Sequence, residues 1–208
     1  MNKYISGFDA IYLYWNSINV EPFADKDKDK DKTIILLGDS ILKNNKYVKA
    51  GQSVEDFLKR DNSVYCFAKD DSTIQDVYKQ INRIKIENSI IFLSVGGNNI
   101  LQGGESLSRI FKQYMELVDD IITRNDCKLI LINLYYPADI RYLKYYPSIQ
   151  KWNEMLNIYA RDTKRDIHKI HVLDASKILT QPSDFTSEIE PSEIGGRKLA
   201  NKIAAISI

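Results

Sequence analysis

Thr33-Ile34-Ile35-Leu36-Leu37-Gly38-Asp39-Ser40 decides the reading of this chain. Thr33–Leu37 is short, uncharged and almost wholly apolar, and a turn residue closes it. Such a run reads as a strand buried on both faces. Gly38 lets the backbone turn sharply. Ser40 then stands at the strand's C-terminal edge. Its hydroxyl is a candidate nucleophile, and its backbone N–H is a candidate donor to an oxyanion. Gly-Asp-Ser is also a common turn, so its meaning depends on what surrounds it.

C-terminal to this stretch, strands and helices alternate. Val54–Leu58 is a brief helix candidate, and Ser63–Ala68 is a second strand. Ile74–Ile84 is amphipathic, with Ile74, Val77, Ile81 and Ile84 on one side. Ser89–Val95 is a third strand. Leu107, Ile110, Phe111, Tyr114, Leu117, Val118 and Ile121 form a helical stripe. Lys128–Leu134 is a fourth strand, Ile149–Ala160 a helix, Lys169–Leu173 a fifth strand and Ile194–Ile203 a last helix. This alternation implies an α/β domain of three layers, α/β/α, around a five-stranded parallel sheet. The expected order is flavodoxin-like, 2-1-3-4-5, which makes strands one and three neighbours at the topological switch point. Ligands bind there, beyond the strand C-termini, so the loops Gly38–Ile41 and Gly96–Ile100 are the ones to inspect.

N-terminal to the stretch, residues 25–32 alternate Asp and Lys, a low-complexity segment with nothing apolar to bury. It reads as a linker between an arm, 1–24, and the main domain, 33–208. The arm places Tyr4, Phe8, Ile11, Trp15 and Ile18 on one helical face. That face either docks on its own domain or, through residues 4–18, meets a partner or a second copy of the chain.

Bulk composition narrows the partners. In 208 residues, 29 Lys and Arg balance 28 Asp and Glu, so no net field favours nucleic acid or an anionic membrane. No run of about 18 apolar residues occurs, so no membrane span is expected. Residues 1–20 do not read as a signal peptide, and a cytoplasmic location is the expectation. Cys66 and Cys127 lie in apolar runs and read as free buried thiols. Without a Cys/His cluster, no metal is expected. No Gly-x-Gly-x-x-Gly or phosphate-binding Gly-rich loop follows the first strand, so no nucleotide cofactor is expected.

The second switch-point loop is Ser94-Val95-Gly96-Gly97-Asn98-Asn99. Its glycines allow a ligand close to the backbone, and Asn98 offers an amide donor. Two such loops on adjacent strands are far more specific than either alone. Tyr135-Tyr136-Pro137 through Tyr142, Tyr145 and Tyr146, with Arg141, follows the fourth strand and lies near the same edge. These rings either contact a sugar or acyl group or pack on one another. His168 and His171 flank the start of the fifth strand, the wrong end of the sheet for a catalytic base.

On these two loops the chain resembles the SGNH, or GDSL-type, hydrolases, over residues 33–206. The resemblance implies a nucleophile at Ser40 and an oxyanion donor at Asn98. A second, backbone donor falls within Lys69–Thr73, at Asp71, where the family has Gly. Asp39, Gly97, Asn99, Tyr136 and Arg141 are the candidate substrate contacts. The family's last block, Asp-x-x-His-Pro, is altered. Here it reads Ser187-Glu188-Ile189-Glu190-Pro191-Ser192, with Gly195-Gly196 following in register. Ser187 takes the place of the Asp and Glu190 that of the His. Asn99 also departs from an expected Asp.

Glu190 has two readings. Buried in an apolar pocket, a carboxylate can be raised toward neutral pH and serve as a base for Ser40. Alternatively it caps the last helix through the dipole. The chain is therefore expected to be a serine esterase-like hydrolase of weak activity, acting on a small-molecule acyl or acetyl ester or an acylated sugar. The competing expectation is a binding protein that keeps the pocket without turnover.

Overall fold

A computed structural model of the chain describes residues 33–85, 88–125, 127–162 and 170–207. The arm 1–24 with its 4–18 stripe, the Asp-Lys segment and His168 lie outside the described residues.

Strands β1 (Thr33–Gly38), β2 (Val64–Cys66), β3 (Ser89–Ser94), β4 (Cys127–Ile132) and β5 (Ile170–Leu173) form one sheet in the order β2-β1-β3-β4-β5. All four pairings are parallel. β1 and β3 run in register from Thr33 opposite Ser89 to Gly38 opposite Ser94, so their C-termini end side by side. This is the expected α/β architecture. β2 stops earlier than its apolar pattern because Phe67 and Ala68 both donate to the single carbonyl of Leu36, and the chain peels off the sheet edge.

Helices α1 (Val54–Leu58), α2 (Ile74–Ile81), α3 (Gly97–Gln102), α4 (Leu107–Arg124), α5 (Tyr146–Asp162) and α6 (Glu193–Ser207) complete the main elements. Strand alternation sorts the sheet's side chains into two cores. Ile35, Leu37, Ile91, Leu93 and Leu129 pack with Val77 of α2, Phe111 of α4 and Trp152 of α5. Ile34, Leu36, Ile90, Phe92 and Ile130 pack with Phe57 of α1 and with Leu199 and Ile203 of α6. The three layers follow from that division. Each large side chain fully buried here stabilises the fold by roughly 1.5–3 kcal/mol.

Polar residues set the helix starts. Ser53 and Asp56 form a capping box on α1, Thr73 and Asp76 one on α2, and Ser106 accepts from Arg109 N at α4. Three features depart from the sequence reading. The loop after β3 turns directly into α3, which has too few residues to show a helical period. A 3-10 helix spans Ile140–Tyr145, and a small antiparallel hairpin pairs β6 (Phe185–Thr186) with β7 (Glu190–Pro191). Among the described residues no helix is long and apolar enough to cross a membrane. Cys66 is a half-buried free thiol, and Cys127 is buried.

Candidate active site

Gly38 ends β1 with φ of 125°, and a Cβ there would fall 1.7 Å from Ser94 O, so only glycine fits. The turn presents Asp39 and Ser40 at the sheet's C-terminal edge, both buried. Gly96 makes the matching turn after β3. Its φ is 115°, and a Cβ would strike the Trp152 ring at 2.5 Å. The chain then enters α3, which puts Asn98 in a helix's first turn rather than in a loop.

Ser40 Oγ donates to Glu190 Oε1 at 3.0 Å across 150 residues of sequence. Glu190 is held from both sides. The Tyr135 hydroxyl donates to the carbonyl of Ile189, and Asn44 Nδ2 donates to that of Pro191 at 2.9 Å. Asn44 Oδ1 in turn accepts from Val54 N at 2.9 Å, which ties β7 to the start of α1. Burial pushes the Glu190 carboxyl up to about 7, against a lowering from the Ser40 hydrogen bond. Its second oxygen, Oε2, is buried with no hydrogen-bond partner among the described residues. Burial also pushes Asp39 up to about 8, although Ile41 N donates to it at 3.2 Å, and the Glu190 charge adds to the rise.

A narrow cleft of about 50 Å³ opens beside Ser40. Asp39, Ser40, Gly97 and Asn98 form its polar end. Ile100 and Leu101 of α3 line one side, and Leu134, Tyr135, Tyr142, Tyr145 and Ile149 another, with Ile189 of the hairpin turn nearby. Asn98 Nδ2 donates to Ser72 O at 3.0 Å, which fixes the amide and leaves its second N–H. The Ser40 backbone N–H has no hydrogen-bond partner among the described residues.

The other candidates lie elsewhere. Asp71 is exposed and does not line the cleft, but its φ of 60° is a glycine-like conformation, as a Gly position requires. Its N–H acts on the neighbouring Asp70 carboxylate. Burial raises that group, and hydrogen bonds from Lys46, Tyr47 and Asp71 outweigh it. Ser187 is exposed in the β6–β7 turn with φ of 42° and makes no hydrogen bond to Glu190. Asn99 Oδ1 accepts from Ile74 N at 3.0 Å and so serves the start of α2. Tyr136 packs edge-on against Tyr146 and does not line the cleft, whereas Tyr135 does. Arg141 is exposed and pairs with Asp139 and Glu188. His171 lies at the opening end of β5, away from the cleft.

Two supporting residues escaped the sequence reading. Gln80 is buried on α2, where Nε2 donates to Gly38 O and Oε1 accepts from Gly38 N, both at 2.8 Å. Its place three residues after Val77, on the apolar stripe of α2, was the available signal. Asn44 carried none.

No protein-family model and no curated protein matches the sequence. Solved structures do match. A member of the lipolytic G-D-S-L family from Veillonella parvula aligns at TM-score 0.67 and 23% identity, over 83% of this chain and 96% of that one. The chain has the SGNH hydrolase fold. A family 3 carbohydrate esterase from Clostridium thermocellum aligns at TM-score 0.61 and 17% identity, over 84% of this chain and 96% of that one. A psychrotrophic esterase from Pseudoalteromonas sp. aligns at 0.57 and 15%, over 85% and 96%. The SGNH fold thus accounts for nearly the whole length of each of these chains and for 83–85% of this one.

Proposed function

We propose that this SGNH-fold chain is a serine ester hydrolase in which Glu190 is the base. The observation that carries the reading is the 3.0 Å hydrogen bond from Ser40 Oγ to a buried carboxylate whose pKa is raised to about 7. A serine hydroxyl attacks only as its proton leaves, and a base that titrates near neutral pH takes that proton best. Esterases and lipolytic proteins among the solved structures of this fold support an ester as the scissile bond.

Ser40 Oγ attacks the acyl carbonyl carbon while its proton passes to Glu190 Oε1. The carbonyl oxygen becomes an oxyanion, received by the Ser40 N–H and the second Asn98 amide N–H. Collapse breaks the ester C–O bond, and the leaving alkoxide takes the proton from Glu190. Water then attacks the acyl-enzyme as Glu190 removes its proton. Breaking the acyl–Ser40 bond returns that proton to Oγ and releases the acid. Removing one oxyanion donor costs about 10²–10³-fold in kcat, so Asn98→Ala should fall by that much.

One observation favours turnover-free binding instead. Ser187 stands away from Glu190, so no third side chain orients the base as a triad's Asp would. Labelling with a fluorophosphonate separates the two readings. Covalent capture that Ser40→Ala abolishes and Glu190→Gln slows supports the hydrolase. No capture between about pH 6 and 9, on either side of the raised carboxyl, leaves the binding protein.

A further inference from the structure

We infer that the cleft beside Ser40 is an acyl subsite for a linear, uncharged aliphatic chain longer than acetyl, and that it does not receive a sugar ring. The inference rests on the ester-hydrolase reading and deepens it.

The distribution of polarity carries the argument. The cleft is polar only at one end, where Asp39, Ser40 and Asn98 lie; away from them Ile100, Leu101, Leu134 and Ile149 supply hydrocarbon. Two of its tyrosines have spent their hydroxyls on the protein: Tyr135 donates to Ile189 O, and Tyr142 donates to Glu188 Oε2 at 2.9 Å. They therefore offer ring surface rather than hydrogen bonds. A sugar there would leave its hydroxyls desolvated and unpaired, which is costly. No Lys or Arg lines the cleft, so nothing neutralises an anionic chain end.

Size points the same way. About 50 Å³ is only a few times the roughly 10–15 Å³ that one water requires. That bore admits a methylene chain more readily than a pyranose ring. A carbonyl held at Ser40 and Asn98 leaves its chain to run between α3 and the Tyr142–Tyr145 turn.

p-Nitrophenyl esters test the acyl side because the leaving group stays constant. From acetate to butyrate, kcat/KM should rise by roughly fourfold per methylene buried. Ile100→Trp should fill the cleft and lower the butyrate-to-acetate ratio. A flat or falling series overturns the inference, as does a preference that follows the alcohol's chain length in alkyl acetates. Calorimetry on Ser40→Ala supplies a readout without turnover: hexanamide should bind and N-acetylglucosamine should not, and the reverse overturns the subsite. If the parent hydrolyses no ester and Ser40 resists fluorophosphonate, the catalytic reading fails, while this titration still decides the subsite.

Discussion

Gln80 and Gly38 hydrogen-bond each other twice, with the Gln80 side-chain amide pairing the Gly38 N–H and C=O at 2.8 Å each. β1 ends there: the Gly38 N–H has Gln80 as its partner, while the C=O also accepts from Lys69 N–H at 2.9 Å. A side chain from α2 completes the sheet at the point where the chain must turn toward Ser40. Gln80 Nε2 also lies 3.2 Å from Ser72 Oγ, which joins the same turn to the segment that holds Asn98.

Replacing Gln80 with Leu keeps the volume and strands the Gly38 N–H, while Lys69 N–H still serves the carbonyl. One buried orphan costs about 1–3 kcal/mol, so a loss of about that size is expected. Urea unfolding should show a lower midpoint with an unchanged slope. Ser40 labelling should slow in the folded variant, since the turn that aims Ser40 loses its anchor. An unchanged midpoint would mean that water replaces the amide.

The five strands were legible because each is a short, largely apolar run closed by Gly or a polar residue. Ser40, Asn98 and Glu190 could be singled out as candidates because each lies in a motif with a fixed register. What could not be read were contacts between residues far apart in sequence. Asn44 reaches Pro191 across 147 residues, and nothing near Asn44 marks it. The Asp position of the family's last block had a register but no geometry. Only the structure places Ser187 in a positive-φ turn facing solvent. Tyr135 and Tyr136 were equivalent as letters and part company in the structure: Tyr135 lines the cleft, and Tyr136 packs on Tyr146.

Glu190 should make Ser40 reactivity depend on pH. The carboxyl must be ionised to accept a proton, and burial has moved it from 4.5 to about 7. The labelling rate is therefore expected to climb through about pH 7 and level off above it. Glu190→Gln should remove the inflection and lower the rate by roughly 10²–10⁴-fold, the usual size of a general-base effect. An inflection that survives the substitution assigns the base to another group.

Asp39 links stability to pH in the opposite sense. Its carboxyl releases a proton near 3.8 in the unfolded chain and near 8 in the fold. A raised folded pKa contributes stability that is full below about 4 and is lost as pH climbs through 8. Asp39→Asn keeps an oxygen for Ile41 N and cannot ionise. Its melting temperature should therefore gain on the parent steadily from pH 4 to pH 8. A constant gap across that range would show that the fold does not hold Asp39 protonated.

The hairpin that carries Glu190 has two residues per strand and is steadied from outside. Glu188, at its turn, receives Arg141 Nη2 at 2.7 Å and the Tyr142 hydroxyl at 2.9 Å, which clips the turn to the 3-10 segment beside the cleft. The clip is exposed, so its effect should be small and open to screening by salt. Between about 0.1 and 1 M NaCl the Debye length falls from roughly 10 to 3 Å. The parent's ester hydrolysis is expected to drop a few-fold over that range, while Glu188→Ala starts near the lower value and stays flat. Backbone strain separates the clip from the turn itself. Glu188 has φ of 75°, a left-handed conformation that costs a non-glycine residue about 1–2 kcal/mol. Glu188→Gly should therefore melt above Glu188→Ala while sharing its insensitivity to salt. If both variants keep the parent's rate and its salt response, the pinned carbonyls of Ile189 and Pro191 position Glu190 by themselves, and the clip only shapes the cleft's rim.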